Sequence, residues 1–288
     1  MPDTRCLYTS VDAPLERGDE VLLRFVAPVA REIRSHPDLD SLFYCRYNDP
    51  TWQIRFRIVG TPRWIEESVL PSLEERLAPL KREDLIQGYA FGQYRREVER
   101  YGGEYGMWLT ERLYHQDSLA CLDLLEAEAR GQFRRSRREF SVLMVERLLD
   151  QLRFGRDQRL AFYERGFRWA IESETLNETD LAALRARYGK VKDGLASLVS
   201  AAAGADPEAL WGGAEAAGIA ARCLEATAPV IDKAIEARAD GRLAQDLVEV
   251  AWSWAHLHSN RIGVLNVGEA SLRFLMHRLY GDGLVTTA

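Results

Sequence analysis

A chain of 288 residues with 47% apolar side chains has enough material for one large core or two small ones. Its 38 Lys and Arg against 44 Asp and Glu leave a net charge of -6, which argues against a general nucleic-acid binder. Met1 to Ser10 holds no apolar signal core, and no window reaches the roughly 18 to 20 apolar residues of a bilayer span, so a cytoplasmic protein without a membrane partner is expected.

Residues 4 to 11 alternate and predict an opening strand. Val21, Leu22, Phe25, Val29 and Ile33 then recur at helical spacing over 19 to 34, with Pro28 expected to kink or end that helix. Two aromatic and β-branched runs, 42 to 47 and 52 to 59, flank Asn48, Asp49, Pro50 and Thr51, which together predict a hairpin. In its second strand Ile54, Phe56 and Ile58 share one face, and Gln53, Arg55 and Arg57 share the other. A helix is predicted from Pro62 to about Leu77, and a further strand over 85 to 94. The pair Gly102 and Gly103 forces a sharp bend, and Glu97, Glu99 and Arg100 are displayed beside it. From Met107 onward the spacing is helical, over 107 to 125, 140 to 154, 158 to 171, 181 to 199, 214 to 238, 243 to 261 and 268 to 280. The expectation is an α+β fold in a single unit over 1 to 288. An N-terminal antiparallel sheet, within 1 to 106, should pack with a mainly α-helical C-terminal half, 107 to 288.

Several polar groups stand out from this framework. Arg55 and Arg57, two apart on a strand, project from one face about 7 Å apart at their Cα atoms, and their planar forks suit carboxylates. The plain alternative is a solvated face with surface ion pairs. His256 and Asn260, four apart on a helix, share a side, whereas His258 is rotated by about 200°. Trp252, Trp254, Ala255 and Leu257 make the surroundings apolar, which favours a neutral histidine able to act as a base, although a hydrogen-bonded core histidine is commoner. Cys6, Cys45, Cys121 and Cys223 lack metal-ligand spacing, so buried thiols are expected, with no metal and no cofactor. Asp117 and Ser118 read as structural polar groups. Arg130, Arg134, Arg135, Arg137 and Arg138 form either a solvated connection or a dock for an acidic peptide or phosphate backbone.

Five segments, 43 to 47, 53 to 57, 97 to 103, 111 to 118 and 256 to 261, occur in an order that resembles the thiopeptide-type bacteriocin biosynthesis family. That family is similar to the C-terminal elimination domain of lantibiotic dehydratases, and the likeness runs over nearly the whole chain. It implies an enzyme acting on a ribosomally made precursor peptide, leader and core. A Ser or Thr already esterified with glutamate, by a separate tRNA-dependent glutamylating protein, would lose that glutamate and become a dehydroamino acid. Arg55 or Arg57, together with Arg100, match the family's essential arginines, and the 256 to 261 motif carries its essential histidine, with His256 the first choice. By the same resemblance Glu97, Tyr101, His258, Asn260 and Arg261 are expected to bind substrate. Two departures are Gln53, where the family usually has histidine, and Ser259, where cysteine is frequent.

Elimination suits these residue types. Taking an α-proton beside an amide builds enolate-like charge, and the departing glutamate carries a carboxylate, so fixed cations lower the barrier. A second branch of the family is a pyridine synthase, which joins two dehydroalanines and expels the leader; retention of the arginines and the histidine favours elimination over it. An alternative of another class is a non-catalytic peptide-binding subunit of a synthetase complex. The precursor's identity and the oligomeric state do not follow from these residues.

Overall fold

The computed structural model describes residues 4–48, 51–200 and 206–285. Four strands, β1 (Arg5–Asp12), β2 (Leu39–Asn48), β3 (Trp52–Gly60) and β4 (Gly88–Gly92), form a sheet in the order β2-β3-β1-β4 with every pair antiparallel. The hairpin between β2 and β3 is as expected, while Asp49 and Pro50 of its turn lie outside the described residues. Strand β4 is shorter than the expected 85 to 94. Leu85 and Ile86 are instead buried in a turn whose amides return to the Leu80 carbonyl.

Alternation along the strands decides what each sheet face does. Ile54, Phe56 and Ile58 are fully buried against helix α1, residues 18–33, where Phe25 meets Phe56 edge-on at 6.1 Å. The opposite face carries Arg55 and Arg57 on β3, level with Cys45 and Phe43 on β2 and with Ser10 and Tyr8 on β1.

Helix α1 corrects one expectation. It begins as Gly18–Val21, passes through a π segment, Leu22–Val26, and continues as Ala27–Ile33 straight through Pro28. A proline cannot donate to the carbonyl four residues back, and the wider hydrogen-bond spacing of the π segment just ahead absorbs that loss without ending the helix. Helix α2 repeats the device: Pro62–Trp64, then a π segment Ile65–Val69, then Leu70–Arg82 with Pro71 in its first turn.

Among the described residues eight helices follow: α3 (Glu104–Ala129), α4 (Arg137–Gln151), α5 (Arg156–Glu172), α6 (Glu178–Ser200), α7 (Pro207–Trp211), α8 (Ala214–Ala239), α9 (Leu247–Ile262) and α10 (Val267–Gly281). The fold is α+β. Helix α9 is buried along most of its length and packs on α3, α4 and α5 while its end reaches β2. Apolar packing is continuous from the inner sheet face through α1 and α3 to Phe140 of α4.

The Gly-Gly bend positions the start of α3. Gly102 and Gly103 hold φ of 78° and 113°, where residues with a Cβ are strained, and Ala244 N donates to Gly102 O at 2.9 Å. The loop ahead of α9 is thereby stapled to the bend. One turn on, a Cβ at Gly106 would lie 1.8 Å from the Tyr101 carbonyl oxygen, whereas one at Gly189 in α6 would meet nothing within 4 Å. Gly106→Ala should therefore destabilise the protein by about 3 kcal/mol or more, and Gly189→Ala should be neutral or stabilising by up to about 1 kcal/mol, both read from urea unfolding midpoints. Equal midpoints for the two variants would refute the close approach.

Candidate functional site

The outer sheet face, the loop before the Gly-Gly bend and the C-terminal half of α9 enclose a cavity of about 180 Å³. Arg55, Arg57, Glu97, Arg100, Tyr101, His256, Asn260 and Arg261 all line it, although up to about 200 residues of chain separate them. It adjoins a wider groove of about 870 Å³ along residues 93–100, and Arg55, Arg57 and Arg100 line both.

The cations differ in how they are held. Arg57 sits among the rings of Tyr94, Tyr8 and Phe43, at 5.0, 5.2 and 5.5 Å from their centroids, and donates from Nη1 to Cys45 Sγ at 3.4 Å. Among the described residues it has no carboxylate partner, and its buried Nε has no hydrogen bond at all. Arg55 lies 3.3 Å over the Tyr47 ring and donates from Nε to Gln53 Oε1 at 3.0 Å, so Gln53, the departure noted above, steers that arginine. Arg100 is tied at 2.9 Å to Glu97 and at 3.1 Å to Ser253 Oγ. Glu97 therefore acts first as an anchor for Arg100.

Next to these lies a phenol pair. The hydroxyls of Tyr101 and Tyr114 stand 2.6 Å apart, and burial pushes both phenols above their ordinary range, so they are neutral hydrogen-bonding groups. His256 stacks on Trp252 at 5.5 Å and 12° between planes, with Trp169 set against its edge at 5.3 Å. Its Nδ1 is 2.7 Å from Glu269 Oε2.

Three of the residues expected to bind substrate are held by partners within the fold. His258 does not line the cavity: the rotation of about 200° along α9 turns it into the core, where Nδ1 meets Asp117 Oδ1 at 2.6 Å. Asn260 lines the cavity, but its amide is spent on the β2 backbone, accepting from Arg46 N and donating to Arg46 O, each at 2.8 Å. Arg261 is likewise committed, donating from Nε to Tyr44 O and from Nη1 to Asp117 Oδ2, both at 2.9 Å, with Nη2 left without a partner.

Asp117 is structural, as its sequence context suggested. Burial pushes its carboxyl up, but His258 and Arg261 more than offset that and hold it below the usual carboxylate range. Asp117, Cys121 and His258 lie close enough for a cation to be considered. However, Arg261 is fully buried against Asp117 and already supplies the positive charge there, so the cluster is a neutralised ion-pair network. The cysteines are free thiols, with Cys6 only partly buried and raised to about 12 by desolvation.

Sequence reasoning missed Arg95, Tyr94 and Glu269. Arg95 is exposed, lines both the cavity and the groove, and makes no ion pair among the described residues; its neighbour Arg96 is locked to Glu111 and Glu104. The Arg95-Arg96 doublet ahead of Glu97 was the available signal. Nothing in the spacing announces Glu269, thirteen residues beyond His256. Much of the five-arginine run is structural: Arg137 pairs with Glu128 and Asp19, and Arg135 with Glu139 and the Ala209 carbonyl.

Residues 7–280 match a protein-family model described as the C-terminal part of the lantibiotic biosynthesis dehydratase. The chain belongs to this family. One relative is the subtilin biosynthesis protein SpaB of Bacillus subtilis, 30% identical over 165 residues, which are 57% of this chain and 16% of SpaB. Two solved structures share the fold. The tRNA-dependent lantibiotic dehydratase MibB from Microbispora sp. 107891 superposes with a TM-score of 0.70 at 23% identity, over 97% of this chain and 28% of MibB. TbtD, a pyridine synthase from thiomuracin biosynthesis, superposes with 0.68 at 17% identity, over 97% of this chain and 99% of TbtD. The chain thus spans a small fraction of SpaB and MibB. No helix among the described residues is long and apolar enough to cross a membrane.

The Asp117 network yields a test. A carboxyl depressed in the folded state contributes stability that is complete above its unfolded value and is lost as pH falls through the lower folded value. Wild-type urea midpoints should thus fall below about pH 4, while Asp117→Asn should be less stable at neutral pH by about 3 to 5 kcal/mol and show a shallower acid decline. Parallel pH profiles for the two proteins would rule the network out as the acid-sensitive element.

Proposed function

We propose that this chain removes glutamate from glutamylated Ser or Thr residues of a ribosomally made precursor peptide, leaving dehydroalanine or dehydrobutyrine. Arg57 is the observation that carries the proposal. A largely desolvated guanidinium, walled by three rings and with no carboxylate partner among the described residues, is costly to leave uncompensated and is stabilised by an anionic ligand. Arg55 and Arg100 line the same cavity, and His256 stands with them as the base.

The chemistry follows from that arrangement. His256 takes the α-proton, the electron pair forms the α,β double bond, and the β-carbon to oxygen bond breaks, releasing glutamate as its carboxylate. The arginines bind the charge of the departing group and counter the enolate-like charge that develops first. The proton ends on the imidazole and passes to water, so no oxidant or reductant is required. The peptide would reach the site along the wider groove beside residues 93–100, with the glutamate supplied by a separate tRNA-dependent glutamylating protein.

The likeness to MibB supports elimination, whereas TbtD, matched over almost its full length, favours pyridine synthesis as the second reading. Elimination is preferred because a cycloaddition between two dehydroalanines has no glutamate to occupy Arg57. Given a precursor glutamylated on Ser, the protein should release free glutamate and leave a peptide lighter by one water than the unmodified form. Arg57→Ala or His256→Ala should slow release by on the order of 10² to 10⁴-fold, with the glutamyl ester persisting in mass spectra. An unchanged glutamyl peptide, with a bis-dehydroalanine peptide converted to a pyridine and freed of its leader, would establish the second reading. Binding of both peptides without conversion would make the chain a peptide-binding subunit.

A further inference from the structure

His256 is placed by a side chain to which no role has been attached. Helix α9 is capped by Gly263, with φ of 88°, and the short loop that follows passes through Asn266, with φ of 38°, into α10. Glu269 is delivered to Nδ1 of His256 at 2.7 Å, with its side chain only 2% exposed. Its other oxygen, Oε1, accepts from Arg273 Nη2 at 3.1 Å, one helical turn further along. Burial pushes the Glu269 carboxyl up, but His256 and Arg273 more than offset this, and the carboxyl stays ionised. Arg273 also reaches Ser259 Oγ at 3.4 Å, and that hydroxyl stands 3.2 Å from Ser141 Oγ.

Three properties of this arrangement matter for a base. An ionised carboxylate can only accept, so the proton between the two groups belongs to Nδ1, and in the neutral imidazole the remaining nitrogen, Nε2, then carries the lone pair. Arg273 already balances the charge of Glu269, so the imidazole need not become a cation to keep the buried carboxylate neutralised. The ring cannot turn away, because Trp252 is stacked on its face and Trp169 closes its edge. Gly166 of α5 makes room for this: a Cβ there would fall 3.0 Å from Arg273 Cγ and 3.1 Å from Trp252 Nε1.

We propose that Glu269 is a positioning residue which, with its charge balanced by Arg273, holds His256 as the neutral Nδ1-protonated tautomer with Nε2 free as the base for the cavity. The proposal rests on the reading of His256 as a base, but its first test uses no substrate. In ¹⁵N-labelled protein near pH 8, where an ordinary imidazole is neutral, two-bond nitrogen-proton correlation spectra should show His256 protonated on Nδ1 and bare on Nε2. In Glu269→Gln, the amide can donate to Nδ1, and the tautomer should reverse. Glutamate release by that variant should then fall by on the order of 10²-fold or more in kcat with KM little changed, and Glu269→Gln should add no further loss when His256 is already Ala.

A wild-type spectrum with the proton on Nε2 overturns the proposal, even if Glu269→Gln does not fold. So does a folded Glu269→Gln protein, judged by circular dichroism, whose tautomer is unchanged. If the spectra follow the expectation but no glutamate is released, the positioning stands and the elimination reading fails, so the two failures are separable.

Discussion

Everything in the candidate site depends on one junction, the clamp between the end of α9 and the edge strand β2. An edge strand presents unpaired amides and carbonyls, and here Asn260 supplies both a donor and an acceptor to the backbone of Arg46, as a neighbouring strand would. Arg261 then donates to the Tyr44 carbonyl, and the Tyr44 hydroxyl donates back to the Arg261 carbonyl at 3.0 Å. These bonds couple the sheet to the bundle in one register. Without that register Arg55 and Arg57 on the sheet would not face His256 on the helix, because each side chain is aimed only by its own element.

Pairing state separates the arginines that build the fold from those available for chemistry. Arg159 is enclosed by Glu146 and Asp150, Arg96 by Glu111 and Glu104, and Arg261 by Asp117, so each buried or partly buried charge is balanced inside the chain. Arg57 and Arg95 are not balanced in this way among the described residues, and both open on the cavity. At Arg57, desolvation makes that imbalance costly and an entering anion favourable, whereas Arg95 is exposed and hydrated. The histidines are each held at Nδ1 by a carboxylate and differ in where they lie: His258 with Asp117 is buried in the core, whereas His256 with Glu269 lines the cavity.

Much of the fold was legible because it rests on local periodicity. The alternation of Ile54, Phe56 and Ile58 against Arg55 and Arg57 set the two sheet faces, and helical spacing after Met107 located most of the bundle. Pro28 misled because a local rule, that proline breaks helices, met a local remedy, the π segment Leu22–Val26, which no propensity scale encodes. The site was legible in part. Residue type on a shared strand face drew attention to Arg55 and Arg57, the family resemblance added Arg100 and His256, and helical rotation separated His256 from His258. Arg95 was passed over because its neighbour Arg96 has the same composition, and only packing against Glu111 distinguishes the two.

By itself, then, the amino-acid order determined the elements, the faces they bury and the residue types able to hold an anion or take a proton, since each depends on spacings of two or of three to four residues. Tertiary structure alone decided which of those groups meet and which are already spent. Asn260, expected to bind substrate, clamps β2 as well as lining the cavity, and Glu269, unremarkable in sequence, meets the imidazole of His256. The reason is physical: a hydrogen bond or an ion pair between distant residues is set by where two packed elements bring their ends, and no short-range pattern carries that distance.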